Sequence, residues 1–172
     1  FIDTEGGFSL ERVKQVDPDY ENTLKNMLFF KPTRFEEQKK VFGTLRDLIN
    51  DKIGLIVVDT ISMLYRIEMG KTDDIYETNR ELGVQISFLS EIARKHTIPV
   101  LITNQVYADF DQKDKVNMVG GDILKNASKC LIELQKFHKG VRKAIIRKHR
   151  SIGEREVTFE IIQEGIKEFT PR

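Results

Sequence analysis

The sequence predicts an α/β protein whose central, mostly parallel sheet is flanked by helices and extended by antiparallel strands at the C-terminal end. Two observations lead to this prediction. Helix and strand patterns alternate through the first two thirds of the chain, with continuous apolar runs at Leu55–Val58 and Val100–Thr103, as in parallel strands covered on both faces. The last third shows consecutive strand patterns separated by turn residues, which is typical of a β meander. The right-handed crossover rule then places helices on both faces of the parallel part.

The predicted elements follow one another without a linker or repeat. In order they are a strand end at Phe1–Asp3, a short helix from Ser9 to Val16, a strand at Met27–Phe30, a helix opened by Thr33 with Glu36 in a capping box, a strand at Leu55–Val58, a helix over Asp74–Lys95, a strand at Val100–Thr103, a short helix near Ile123–Ser128, and strands over Lys129–Phe137, Val141–Arg150 and Glu156–Ile162.

Length and composition indicate one globular domain over residues 1–172, with 40% hydrophobic and 32% charged residues. No apolar run is long enough for a transmembrane helix, so no membrane partner is expected. A single cysteine, Cys130, excludes an internal disulfide and fits a cytoplasmic protein. The net charge of +1 does not indicate a nucleic-acid binder. Because the chain starts at Phe1 rather than Met, we expect a piece of a longer protein, and a missing targeting signal carries no weight.

Polar side chains follow three successive strands of the predicted sheet. Glu5 follows the first, Asp59 and Thr60 the second, and Gln105 the third. One Asp at a strand end is equally well explained as a cap or turn former. Since open parallel sheets bind ligands beyond the carboxyl ends of their strands, three such ends predict one shared crevice.

These residue types suit the transfer of a phosphoryl group to water, which needs Mg²⁺, a group that orients the water and a sensor of the terminal phosphate. Asp59 on a rigid strand end can hold Mg²⁺ directly or through its water ligands. Glu5 is long enough to polarise a water molecule. Gln105 is neutral and can hydrogen-bond a phosphate oxygen without repelling it.

The order of three motifs makes a family resemblance specific. Phe-Ile-Asp-Thr-Glu-Gly-Gly-Phe-Ser comes first, Leu-Ile-Val-Val-Asp-Thr second and Leu-Ile-Thr-Asn-Gln-Val third. In this order they resemble the RecA/RadA recombinase superfamily over nearly the whole chain, and Glu5–Arg12 and Lys148–Arg150 resemble its archaeal RadB branch more closely than RadA. The resemblance implies a RecA-like ATPase core that binds ATP and Mg²⁺. It makes Glu5 the water-activating glutamate, Asp59 the Walker B aspartate and Gln105 the phosphate-sensing glutamine, with Thr60 beside the metal shell.

The chain lacks the loop that should hold the phosphates of ATP. A phosphate loop reads G-x-x-x-x-G-K-[ST] and offers its backbone N–H groups to the phosphates. Gly70-Lys71-Thr72 imitates only the end of this pattern, because Tyr65 stands where the first glycine is required and the segment follows the Asp59 strand. The family resemblance places the loop upstream of Phe1. We therefore expect this chain alone to bind ATP weakly at best and to hydrolyse none.

A basic stretch without acidic residues runs from Lys136 to Gly153. It has three interpretations. It can be a solvated edge strand protected by its charge, or a DNA-binding surface that uses Arg142, Lys143 and Arg147. By resemblance, it can also carry a pair of basic fingers, which are side chains that reach into the ATP site of a neighbouring subunit. In the last case Lys148 and Arg150 act on ATP bound by a neighbouring subunit.

The loop that the family assigns to DNA is Val106–Gly121. It offers Lys113 and Lys115, which are balanced by nearby aspartates. DNA binding therefore rests on the resemblance rather than on charge.

The function implied by resemblance is that of an accessory protein of DNA repair and homologous recombination, with weak Mg²⁺-dependent ATP hydrolysis in the intact protein. Its expected partners are DNA, RadA recombinase or a junction-cleaving nuclease, and further copies of itself. Three alternatives stay open: a KaiC-like signalling ATPase, a RadA strand-exchange recombinase, and a non-enzymatic adaptor. DNA binding separates the first of these, and loss of function on Glu5→Gln separates the last.

Overall fold

The structure is a computed structural model that describes residues 1–108, 116–137 and 140–170. These residues form two compact units. The first unit comprises Phe1–Phe8 and Met27–Ala127, and the second comprises Ser9–Asn26 and Ser128–Arg172. In chain order the elements are β1 (Ile2–Asp3), α1 (Leu10–Val16), α2 (Tyr20–Lys25), α3 (Phe35–Leu48), β2 (Ile56–Asp59), α4 (Met63–Met69), α5 (Ile75–Lys95), β3 (Val100–Ile102), β4 (Val106–Ala108), β5 (Val116–Met118), α6 (Gly121–Ala127), β6 (Cys130–Lys136), β7 (Val141–His149), β8 (Glu156–Ile162) and β9 (Gly165–Glu168).

The centre of the first unit is a parallel sheet with the strand order β1-β2-β3. Asp3 lies opposite Asp59, and Val58 lies opposite Ile102, so the three strands end at the same edge. The parallel sheet predicted from the apolar runs is therefore confirmed. The predicted strand at Met27–Phe30 is reduced to a single bridge, in which Phe30 pairs with Ile2.

The long helix α5 forms where the sequence predicts it. Asp74 caps its start by accepting a hydrogen bond from the N–H of Glu77 at 2.9 Å. Its buried stripe recurs at helical spacing and consists of Leu82, Ile86, Leu89 and Ile92. These side chains join strand residues such as Val58 in the apolar core of the first unit.

The start of α3 differs from the predicted capping box by one position. Glu37, not Glu36, accepts hydrogen bonds from the N–H and the hydroxyl of Thr33, both at 2.9 Å. The helix begins at Phe35, so Glu37 rather than Glu36 lies one turn beyond Thr33 and can reach back to it. The N–H of Thr33 is the largest of the causes that lower the pKa of Glu37 to about 2.

The second unit contains the expected antiparallel strands, which pair as a four-stranded sheet of their own in the order β6-β7-β8-β9. Strand β9 is not predicted from the sequence. Arg12 on α1 connects this helix to the hairpin that β8 and β9 form. Its guanidinium donates to the carbonyl oxygens of Ile162 at 2.8 Å, Gln163 at 2.9 Å and Gly165 at 2.8 Å. In the described parts of the chain, no helix is both long enough and apolar enough to cross a bilayer.

Candidate nucleotide site at the edge of the parallel sheet

The loop that carries Glu5 is organised by the carboxylate of Asp3. This carboxylate accepts hydrogen bonds from the backbone N–H groups of Glu5 (3.2 Å), Gly6 (2.7 Å), Gly7 (3.2 Å) and Phe8 (3.2 Å). Gly6 has a φ of 71°, a conformation that glycine adopts without strain. The loop therefore turns tightly directly after β1 and leaves the side chain of Glu5 exposed.

Glu5, Thr60 and Gln105 meet at one carboxylate oxygen. Oε1 of Glu5 accepts hydrogen bonds from the hydroxyl of Thr60 at 3.1 Å and from Nε2 of Gln105 at 2.6 Å. These residues are 55 and 100 positions from Glu5 in the sequence. The structure thus brings the side chains of Glu5, Thr60 and Gln105 together, whereas the shared ligand crevice and the catalytic roles remain predictions.

Asp59 lies at the end of β2 beside this cluster and is half-buried. One of its carboxylate oxygens accepts a hydrogen bond from the hydroxyl of Thr103 at 2.5 Å. The backbone around it is fixed by Thr4, whose N–H donates to the carbonyl of Asp59 at 2.8 Å and whose hydroxyl both donates to the carbonyl of Thr60 and accepts from its N–H. The peptide bond between Asp59 and Thr60 is cis.

Gln105 connects the cluster to the hairpin of β4 and β5. Its carbonyl accepts from the N–H of Val119 at 3.0 Å, and Nδ2 of Asn104 donates to the carbonyl of Val119 at 2.9 Å. The side-chain oxygens of Asn104 and Gln105 are buried, and neither has a hydrogen-bond partner among the described residues. The amide oxygen of Gln105 is thus left to accept a hydrogen bond from a ligand or a water molecule.

The donor set fits a magnesium ion that is held mainly by water and phosphate. Among residues 1–108, 116–137 and 140–170, no group of three His, Cys, Asp or Glu side chains could enclose a metal ion. Mg²⁺ commonly keeps several water ligands and takes only one or two carboxylates from the protein. Asp59 can supply one carboxylate in this way. The hydroxyl of Thr60 already donates to Glu5 and accepts from the N–H of Met63 at 3.2 Å.

Gly70-Lys71-Thr72 directly follows α4 and does not form a phosphate loop. The N–H of Gly70 donates to Arg66, and the N–H groups of Lys71 and Thr72 both donate to the carbonyl of Glu68 at 2.9 and 3.1 Å. Because these N–H groups point back into the helix, they cannot cradle a phosphate.

Two of the three strand residues proposed to bind DNA, Lys143 and Arg147, are engaged with acids. Arg147 contacts Glu133 at 2.6 Å and Glu154 at 2.5 Å, and Lys143 contacts Glu156 at 2.9 Å. Burial acts to raise the pKa of Glu133, but hydrogen bonds from Gln135 and Arg147 outweigh it, so the pKa is lowered.

The third basic residue proposed for DNA, Arg142, donates to the carbonyl oxygens of Gly140 at 3.1 Å and Val141 at 3.3 Å. A DNA phosphate would have to compete with these contacts. The two lysines predicted to contact DNA from the loop, Lys113 and Lys115, lie outside the described residues.

The two candidate fingers, Lys148 and Arg150, lie at the end of β7. Lys148 pairs with Leu131 across the sheet, while Arg150 follows the last strand residue and is exposed. Between them, Nδ1 of His149 accepts from the N–H groups of Ser151 at 3.2 Å and Ile152 at 3.1 Å. His149 therefore shapes the turn after β7.

Sequence reasoning missed the residues that hold the candidate site in place. In the sequence, Asp3 and Thr103 are only the last residues of two predicted strands, and Thr4 is only one residue of the first motif. The signal that could have identified Thr103 is its place in a parallel sheet, since a hydroxyl at the end of β3 must lie beside the end of β2. That register becomes visible only once the strands are paired.

Three comparisons place the chain among known proteins. The Rad51 family model matches residues 1–169. DNA repair and recombination protein RadB of Methanobrevibacter smithii is 40% identical, with 96% of this chain and 73% of that protein aligned. The RadB proteins of Methanocaldococcus jannaschii (38% identical; 97% and 78% aligned) and Methanococcus maripaludis strain C7 (41% identical; 97% and 76% aligned) are similarly related.

The structural comparison agrees with these relationships. A crystal structure of the RadB recombinase matches this chain with a TM-score of 0.80 and 34% identity, over 98% of this chain and 77% of that one. This likeness confirms the RecA-like α/β fold expected from the three motifs. The chain belongs to the Rad51 family, within which the relatives named above are RadB proteins.

Proposed function

We propose that this protein acts in DNA repair and homologous recombination as a RadB-like accessory protein, and that it binds ATP with Mg²⁺ at the edge of its parallel sheet. The observation that carries the nucleotide site is the meeting of Glu5, Thr60 and Gln105 at one carboxylate oxygen. Strand caps with separate local roles would have no reason to converge across 100 residues of sequence. The RadB names of the relatives support the recombination role.

Each residue has a distinct role in this proposal. Glu5 orients the attacking water through the carboxylate oxygen that Thr60 and Gln105 leave available. Asp59, held by Thr103, binds the magnesium shell, and the metal supplies neutralisation of the phosphate charge. Gln105 donates one hydrogen of Nε2 to Glu5, can donate the other to a phosphate oxygen, and directly precedes the β4–β5 hairpin.

A phosphate loop upstream of Phe1 completes the site in this proposal. The first test therefore uses labelled ATP and two proteins: the 172-residue chain, and an extended protein in which the segment upstream of Phe1 is restored. We expect weak binding or none by the chain and micromolar binding by the extended protein. Micromolar or tighter binding by the chain alone would contradict the assignment of the phosphates to an upstream loop.

DNA binding is tested on the extended protein through its salt dependence. If Arg142, Lys143 and Arg147 contact phosphates, changing all three to Ala should reduce the slope of log affinity against log salt by roughly 0.7–0.9 per lost contact. Lys25→Ala, in the last turn of α2, is the matched control for loss of a basic charge. An unchanged slope would remove the three residues from the DNA site, in keeping with the acids that occupy two of them.

The finger role of Lys148 and Arg150 requires a second copy of the protein. It predicts that an Arg150→Ala protein and a Glu5→Gln protein, each inactive alone, recover part of the activity when mixed, because each supplies what its neighbour lacks. The absence of recovery in an oligomer that contains both proteins would refute action across subunits. RadA recombinase and a junction-cleaving nuclease remain the proposed protein partners, which co-purification with the extended protein would test.

Three alternatives are separated by measurements on the extended protein. A KaiC-like signalling ATPase has no need of DNA, so DNA binding by the extended protein would exclude it. A non-enzymatic adaptor would keep its biological function after Glu5→Gln. Strand exchange by the extended protein alone would instead indicate a RadA-like recombinase.

A further inference from the structure

The carboxylate of Asp3 is almost fully buried, with 2% of its residue surface exposed, and its position is fixed on two sides. The backbone N–H of Asp3 donates to the carbonyl of Phe30 at 2.9 Å, and the backbone of Asp3 pairs with Asp59 in the sheet. A buried carboxylate must find hydrogen-bond donors, because an unpaired buried charge is strongly unfavourable. Asp3 finds them in four consecutive backbone N–H groups, from Glu5 to Phe8.

These four contacts determine where the side chain of Glu5 starts. The turn is short, and Gly6 and Gly7 have no side chains that could pack against the rest of the protein. Even a Cβ built at either position would meet no atom within 4 Å. The path of residues 5–7 therefore depends on Asp3 rather than on packing of the loop itself. The next packing contact is at Phe8, whose ring lies 5.3 Å from that of Phe1 and 4.8 Å from that of Phe29.

We propose that Asp3 is a positioning residue for Glu5: it does not touch ATP, but it holds the loop so that the Glu5 carboxylate meets Thr60 and Gln105. This inference rests on the proposed function, because the positioning matters for turnover only if Glu5 orients water. Displacement of a catalytic group by about 1 Å can reduce turnover roughly 100-fold. A residue with a merely structural role would instead affect stability and leave the contacts of Glu5 unchanged.

The first experiment needs no nucleotide and uses the 172-residue chain labelled with ¹⁵N. Gly6 and Gly7 are exposed residues, yet their N–H groups are bound by Asp3, so their amide hydrogens should exchange at least about tenfold more slowly than those of an unstructured chain. Exchange at the rate of an unstructured chain would overturn the proposal. This measurement on the unmodified chain decides the matter even if Asp3 variants fail to fold.

The second experiment compares Asp3→Asn with Asp51→Asn, an exposed acid in the turn after α3. The side-chain amide signals of Gln105 report its donation to Glu5. We expect Asp3→Asn to move these signals towards their positions in Glu5→Gln, and Asp51→Asn to leave them in place. Unmoved signals in a folded Asp3→Asn chain would show that Asp3 does not act on Glu5.

The third experiment measures ATP turnover in the extended protein as a double-mutant cycle. Asp3→Asn should lower kcat by roughly 10- to 100-fold with little change in nucleotide affinity, and should have no further effect in a Glu5→Gln background. Additive losses would refute action through Glu5. If the unmodified extended protein shows no turnover, the proposed function fails, and the exchange and Gln105 measurements still decide the role of Asp3.

Discussion

Gly120 is the residue that most sharply tests how the backbone positions Gln105. It directly follows Val119, whose N–H donates to the carbonyl of Gln105. Gly120 has a φ of 79°, and an added Cβ would lie 3.1 Å from Cδ1 of Leu124 and 3.2 Å from Cδ2 of Leu82. Both leucines are buried, with 1% and 0% of their surfaces exposed, and have little room to move. Gly120→Ala therefore combines backbone strain with overpacking.

The neighbouring Gly121 separates these two effects. Its φ is 51°, but an added Cβ would meet nothing within 4 Å. The left-handed conformation costs a non-glycine residue roughly 1–2 kcal/mol, and a stiffer unfolded chain offsets about 0.4–1 kcal/mol of that. Gly121→Ala should thus lower the free energy of unfolding by about 1 kcal/mol. Gly120→Ala should lower it by about 2–3 kcal/mol, because overpacking adds roughly 1–3 kcal/mol.

The assay is urea unfolding of the 172-residue chain, followed by circular dichroism, with the midpoint and slope fitted for each variant. Gly83→Ala is a control of opposite sign. It lies within α5, and its added Cβ meets nothing within 4 Å. Alanine there should therefore raise the free energy of unfolding by roughly 0.5–1 kcal/mol. Equal losses for Gly120→Ala and Gly121→Ala would refute the packing of Leu82 and Leu124 against Gly120.

Three further predictions concern individual side chains. The pKa of Glu37 is lowered to about 2, so the contact of Glu37 with Thr33 should stabilise the fold above pH 4.5 and be lost as the pH falls towards 2. An NMR titration of the Glu37 carboxyl group measures this pKa, and a midpoint near 4.5 would contradict the prediction. Gln85→Met removes the acceptor that Gln38 reaches at 2.7 Å inside the core and should cost about 2 kcal/mol in urea unfolding, whereas a loss below roughly 0.5 kcal/mol would show that Gln38 finds another partner. Arg12→Lys keeps the charge, but an ammonium group cannot reproduce the three hydrogen bonds that the guanidinium makes. The change should lower the free energy of unfolding by roughly 1–2 kcal/mol in the same assay. An unchanged free energy of unfolding would show that these contacts do not stabilise the fold.

The sequence predicts the parts of the fold in which one local pattern dominates. Helix α5 carries both its cap at Asp74 and its apolar stripe within one continuous segment. The strand of Asp59 is a β-branched run of the kind typical of a buried parallel strand. Short elements carry too little of a period to be predicted reliably. The helix α4 and the strand β9, with seven and four residues, are missed, whereas α1 and α6, also with seven residues each, are predicted.

In the candidate site, the identity of the residues can be predicted from the sequence, but their contacts cannot. Glu5, Asp59 and Gln105 can be identified because each follows a recognisable strand. Their hydrogen bonds cannot be predicted, because they depend on register between strands that are far apart in sequence. The ion pairs of Arg147 are another example: the basic stretch itself contains no acid, but the partners Glu133 and Glu154 come from either side of it.

The central claim is that Glu5 activates water in a nucleotide site completed by Asp59 and Gln105. The most direct test is single-turnover ATP hydrolysis by the extended protein and its Glu5→Gln variant, with Glu21→Gln on α2 as the charge-matched control. We predict that Glu5→Gln lowers the rate by roughly 10²- to 10⁴-fold, that its affinity for ATP stays within about threefold, or 0.6 kcal/mol, and that Glu21→Gln is unaffected. Hydrolysis by Glu5→Gln at the unmodified rate would contradict the claim.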